Sequence, residues 1–157
     1  KKRKDVYLIS SLLESLEQKE GLGLESEIKP RLKKIESLMD GSSLREVSEN
    51  LLHLKTDDSW LQKAVRGFEG GSPTSAFIIW DQCVRAEELN LKEVFQYELD
   101  LAIQVTRHPD FTEGIRAAII EKDNNPQCKY DEINNVPTEW IKEHLEPAWD
   151  VNPLEDL

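Results

Sequence analysis

Apolar residues recur at three- and four-residue spacing through most of this chain, the pattern of helices that each bury one face. Val6, Ile9, Leu12, Leu13 and Leu16 form the first stripe and predict a helix ending near Glu20, where Gly21 and Gly23 stop it. Residues 21–29 lack periodicity and read as a connection. The next helix takes Pro30 into its first turn and offers Leu32, Ile35, Leu38 and Met39 as its buried face.

Capping residues mark the later helix starts. Ser43 with Glu46 has the spacing of a reciprocal cap, in which each side chain accepts the other residue's free N–H, and Val47, Leu51 and Leu54 carry the stripe onward. Asp58 or Ser59 caps a segment from Trp60 to about Phe68, which Gly70-Gly71 ends by supplying positive backbone angles. Ser72 as cap and Pro73 at the first helical position open a helix with Ala76, Ile79, Trp80, Cys83 and Val84 on its inner face. Asn90 and Glu93 cap a segment reaching Thr106, apolar on more than one side and expected to be the central, most enclosed helix. Asp110 and Glu113 repeat the capping pattern before Phe111, Ile115, Ala118 and Ile119, and that helix ends near Lys122. A last helix covers Thr138 to Leu145 and closes at Pro147; Asp150 to Leu157 has no periodic support.

Strand signals are almost absent, and the helices repeat at no fixed period, which argues against a solenoid. The expected fold is all-α, an irregular bundle of about seven or eight helices. Residues 1–29 read as a helix and linker, and residues 30–157 as a helical domain.

Composition narrows the partners. Thirty-one acidic against 20 basic residues give a net charge of −11, which disfavours nucleic acid and anionic lipid. The basic cluster Lys1-Lys2-Arg3-Lys4 leads into a helical pattern and reads as a solvated entrance or an inter-domain surface. No stretch is long and apolar enough for a membrane span, and the start lacks a signal peptide's apolar segment. Cys83 and Cys128 have neither metal spacing nor the density of a disulfide framework, and Cys83 reads as a small core residue.

Catalytic constellations are missing. His53, His108 and His144 form no H-x-x-x-H pair and take surface or capping roles; no metal site is expected. Arg107-His108-Pro109-Asp110 places a histidine beside a carboxylate, as general-base catalysis requires. Yet Asp110 already serves as a cap, and proline holds His108 extended. There is no G-x-S-x-G elbow, phosphate-binding glycine loop or C-x-x-C pair. No residue is assigned a catalytic role.

Three strings carry a resemblance: Ser72-Pro73-Thr74-Ser75, then Asp110-Phe111-Thr112-Glu113-Gly114-Ile115-Arg116-Ala117, then Lys122-Asp123-Asn124-Asn125-Pro126. In order and spacing they resemble the C-terminal end of the 3-hydroxyisobutyryl-CoA hydrolase family of the crotonase superfamily. The second string is common to enoyl-CoA hydratases, whereas residues 121–126 are similar to the hydrolase branch. The likeness is clear over residues 35–146 and faint before, where the first helix looks like the segment after the family's catalytic core. Gln127-Cys128-Lys129-Tyr130 departs from the family, which commonly has an aromatic residue there.

The resemblance implies a lid and association domain of a CoA-thioester hydrolase in valine degradation. That family polarises a thioester carbonyl with backbone amides and activates water with a carboxylate, both from an N-terminal core with no counterpart here. This chain alone is then expected to be inactive, with no covalently bound cofactor and an acyl-CoA as the substrate of the parent enzyme. Its partners would be that core and other subunits of a homo-oligomer. The setting would be the cytoplasm of a bacterium or the mitochondrial matrix of a eukaryote. Lys122 matches the lysine that related hydratases bring toward the CoA phosphates, and it equally suits a helix's last turn. Gly114 reads as permitting close helix approach. Two alternatives stand: a non-catalytic helical interaction module derived from the family, and the tail of an enoyl-CoA hydratase or isomerase.

Overall fold

The structure, a computed structural model, describes residues 11–13, 15–16 and 26–156, and no strand occurs among them. Val6, Ile9, the Lys1–Lys4 cluster, Gly21 and Gly23 lie outside the described residues. The chain divides into two units, Lys1–Ser37 and Leu38–Leu157.

In the first unit, residues 11–13 and 15–16 are helical, and Leu12, Leu13 and Leu16 are exposed rather than turned inward as their spacing suggests. Pro30 sits in a 3-10 turn, Lys29–Arg31, that leads into α1, Leu32–Met39. The last two residues of α1 belong to the second unit, and of the four apolar residues expected to be buried on this helix only one of these, Leu38, is; Leu32 and Met39 are exposed.

The second unit is an irregular all-α bundle. Its helices are α2 (Leu44–Leu52), α3 (Ser59–Glu69), α4 (Pro73–Ala86), α5 (Leu91–Arg107), α6 (Pro109–Ile115) and α7 (Thr138–Leu145). The starts follow the capping chemistry. Asp58 rather than Ser59 caps α3, accepting from the N–H groups of Trp60 and Leu61. Ser72 caps α4 through Ser75 N at 3.2 Å with Pro73 following it, and Asn90 and Glu93 complete a reciprocal box on α5. At α2 only half the box forms: Ser43 Oγ accepts from Glu46 N, but the Glu46 carboxylate accepts from Ser42 N at 2.7 Å, one residue earlier than expected. Gly70 caps α3 with φ −85°, so the positive angle expected there is not used. What Gly71 provides is proximity, since a Cβ there would meet the Gly67 carbonyl at 3.3 Å.

Side chains of α5 spaced four apart hold the C-terminal segment. Gln104 Nε2 donates to Glu146 O (2.9 Å), Ala148 N to Asp100 Oδ1 (2.9 Å), Gln96 Nε2 to Leu154 O (2.9 Å), and Lys92 Nζ to Glu155 O. Asn152 Nδ2 bridges Gln96 O (3.0 Å) and Asp100 Oδ2 (3.1 Å). The helix expected to be most enclosed therefore buries only Leu101 and Gln104, and spends one face on this polar strap. Packing comes from Leu44, Val47, Leu61, Ile78, Ala117, Ile133 and Val136, with α5 against α6 and α7, and α4 against α7.

The inner face expected of α4 is not inner. Pro73, Thr74 and Ile78 are buried, while Ile79 and Val84 are 58% and 56% exposed and Cys83 is exposed, so Cys83 is not a core residue. Ile79, Trp80 and Cys83 instead line an open groove of about 390 Å³ together with Leu44, Leu51 and Phe68.

Candidate functional site at the Arg116 loop

Helix α6 does not run on regularly to Lys122. From Arg116 to Ile120 it widens into a π turn, closed by Glu121 N donating to Arg116 O at 2.8 Å. Such a turn bonds i to i+5 and shifts the register that follows. Ala117 becomes buried, while Ala118, Ile119 and Ile120 face outward, the last two 66% and 70% exposed. The face predicted from Phe111, Ile115, Ala118 and Ile119 therefore exists as a stripe but is not covered.

Beyond the π turn, Lys122 and Asn124 take left-handed backbone, with φ 57° and 51°. Non-glycine residues rarely adopt that region, and each costs about 1 kcal/mol or more, so surrounding contacts must hold them there. Arg116 supplies those contacts. Its guanidinium grips Glu113 with two bonds (2.7 and 2.9 Å), reaches Glu121 and Asp123 (2.7 Å) through Nη1, and donates to Asn125 O at 3.1 Å through Nη2. Glu113 in turn accepts from Gln127 N at 2.6 Å, and Asp110 accepts from Lys129 N and Ser72 Oγ, both at 2.8 Å. Asp110 and Glu113 thus anchor the 121–129 loop instead of capping α6, whose cap position is His108, without a side-chain bond. Hydrogen bonds from Arg116 and from Gln127 N hold the Glu113 carboxyl at about 2. Bonds from Arg116 likewise lower the Asp123 carboxyl, and the bond to Glu113 raises the guanidinium.

Lys122 is exposed and lies past the helix, not in its last turn. Gly114 does not serve close packing, because a Cβ built on it meets nothing within 4 Å. It borders a shallow groove of about 360 Å³ with Ser75, Phe111, Ile119, Pro126 and Cys128. Burial, and then the charge of Asp110, push the Cys128 thiol up.

Two histidines far apart in sequence meet beside this loop. The His108 and His144 rings stack at 3.5 Å with 21° between planes, and Trp140 lies edge-on to both. His144 is 2% exposed, not on the surface, and its Nδ1 donates to Trp140 O at 2.7 Å. Burial, followed by the nearby His144, lowers the His108 imidazole below its ordinary range. Lys129 rests over the Trp140 ring at 4.1 Å, and Trp140 Nε1 donates to Thr74 Oγ1 at 3.1 Å. His108 is extended before Pro109, as expected, and His53 caps the end of α2 through Glu49 O. Sequence spacing gave no sign of the histidine pair. The i, i+3 relation of Glu113 to Arg116 was a readable signal for the clamp.

The site is thus a tied loop that displays Lys122 next to open apolar surface, with its other lysine, Lys129, resting on Trp140. Mitochondrial 3-hydroxyisobutyryl-CoA hydrolase from Xenopus laevis is 33% identical over 109 residues, 69% of this chain and 28% of that protein. The Homo sapiens protein of the same name is 29% identical over 75% of this chain and 30% of its own length. An enoyl-CoA hydratase from Rhodobacter sphaeroides 2.4.1 superimposes with a TM-score of 0.70 at 25% identity, over 88% of this chain and 42% of that one. The chain spans about a third of the length of the curated relatives it matches. The enoyl-CoA hydratase/isomerase family matches residues 2–145, nearly the whole chain, and it is to this family that the chain belongs.

Proposed function

We propose that the chain is the C-terminal helical domain of a CoA-thioester hydrolase similar to 3-hydroxyisobutyryl-CoA hydrolase, serving as lid and association surface and inactive by itself. The observation that carries this reading is the uncovered apolar face of α4, with Ile79 and Val84 more than half exposed. Soluble proteins rarely leave such a contiguous face open unless something docks on it. A catalytic core covering α4 accounts for that face, and further copies of the chain account for Ile119 and Ile120. Lys122 serves as a contact for the phosphates of the acyl-CoA, a role that fits its exposure and its place on a tied loop. The acidic chain is not a partner for nucleic acid or membrane, and no covalently bound cofactor is called for. The setting follows the relatives: the mitochondrial matrix in a eukaryote, the cytoplasm in a bacterium.

The purified chain incubated with 3-hydroxyisobutyryl-CoA and a thiol reagent will release no CoA above the buffer rate. Thiol release proportional to chain concentration would overturn the proposal. An enoyl-CoA hydratase parent is the second reading, favoured by the Rhodobacter sphaeroides likeness. Turnover of 3-hydroxyisobutyryl-CoA against that of an enoyl-CoA by the parent enzyme separates the two.

A further inference from the structure

Lys122 stands between two acids, Glu121 and Asp123. An exposed ammonium beside carboxylates readily pairs with one, and such a pair competes with any incoming anion. Here both carboxylates are taken: Arg116 Nη1 donates to each, and among the described residues Lys122 forms no ion pair. The left-handed turn at Lys122 and Asn124 folds the loop back onto Arg116, which closes it by donating to Asn125 O at 3.1 Å. Resting on the reading of Lys122 as a phosphate contact, we infer that Arg116 is a positioning residue for Lys122: by holding Glu121 and Asp123 it leaves the ammonium open to a nucleotide phosphate of the CoA class.

Coenzyme A binding to the chain, measured by calorimetry at about 0.15 M salt so that long-range fields are damped, tests this. Lys122→Ala and Arg116→Gln should each weaken binding about fivefold, the size of one exposed charge contact of about 1 kcal/mol. Adding Glu121→Gln and Asp123→Asn to Arg116→Gln should restore affinity to within about twofold of the parent chain, because neither flanking carboxylate is then left to capture Lys122. The same two changes with Arg116 intact should raise affinity less than about twofold, a comparison that stands even if Arg116→Gln disturbs the loop. If the triple variant binds as weakly as Arg116→Gln, or if the acid pair matters equally in both backgrounds, Arg116 does not act through Lys122 and the inference fails while the phosphate contact survives. If Lys122→Ala binds coenzyme A like the parent chain, or the parent chain shows no binding, the phosphate contact and the inference fall together.

Discussion

Replacing Arg45 with alanine will lower the unfolding free energy of the chain by about 2 kcal/mol, the loss expected for two half-buried hydrogen bonds from a charged group. Arg45, on α2, donates from Nη1 to Ile133 O at 3.1 Å and from Nη2 to Val136 O at 3.0 Å, and its guanidinium lies 5.2 Å from the centre of the Phe77 ring. One planar group thereby ties the 3-10 turn Ile133–Asn135 to α2 and α4, and it orients Ile133 and Val136 into the core. Truncation leaves both carbonyls without that donor and removes the stacked surface on Phe77. Arg45→Lys should recover less than half of the loss, since an ammonium on one stem cannot serve both carbonyls with the same geometry. Urea denaturation read by circular dichroism measures both variants. A loss under about 0.5 kcal/mol for Arg45→Ala, the range of ordinary surface substitutions, would show that the turn is held by burial alone.

Asp100→Ala is the second large effect. The carboxylate accepts from Ala148 N through one oxygen and from Asn152 Nδ2 through the other, so it is the midpoint of the strap between Glu146 and Glu155. Its removal should cost about 1–2 kcal/mol. The loss will be local first: amide exchange at Ala148 and Leu154 will accelerate, and protease will cut the strap before the helices, because a segment held mainly by side-chain bonds opens below the global unfolding energy. Exchange at Leu101, deep in α5, should follow only the global change. Equal acceleration at Leu101 and Ala148 would mean that strap and helix unfold together.

Helix starts were legible in the sequence because capping is local chemistry. Asp58, Ser72 and Asn90 each sit one residue before a segment that needs an acceptor for free N–H groups, and each supplies one. Which face of a helix is buried is not local. The stripe on α4 is apolar as read, but periodicity shows a face that seeks cover without showing whether this chain covers it. The register change after Ile115 was not legible either, since the stripe of Phe111, Ile115, Ala118 and Ile119 reads as a regular helix while the structure widens into a π turn at Arg116 and buries Ala117 instead. Lys92, Gln96, Asp100 and Gln104 look in sequence like a solvated helix face and are instead the holders of the strap. For the candidate site, the loop was located by its strings, and Lys122 was the residue singled out. The role of Asp110 and Glu113 as anchors for Lys129 N and Gln127 N was hidden behind a cap pattern with the same spacing.

The central claim, that the α4 face is open for docking and not part of the core of this chain, is tested most directly by the stability of Ile79→Asp combined with Val84→Asp. An aspartate in a true core position costs several kcal/mol as a buried unpaired charge. On an open face the account predicts an unfolding free energy unchanged within about 0.5 kcal/mol. A loss of more than about 2 kcal/mol in the monomeric chain would contradict it, placing both residues in a packed interior.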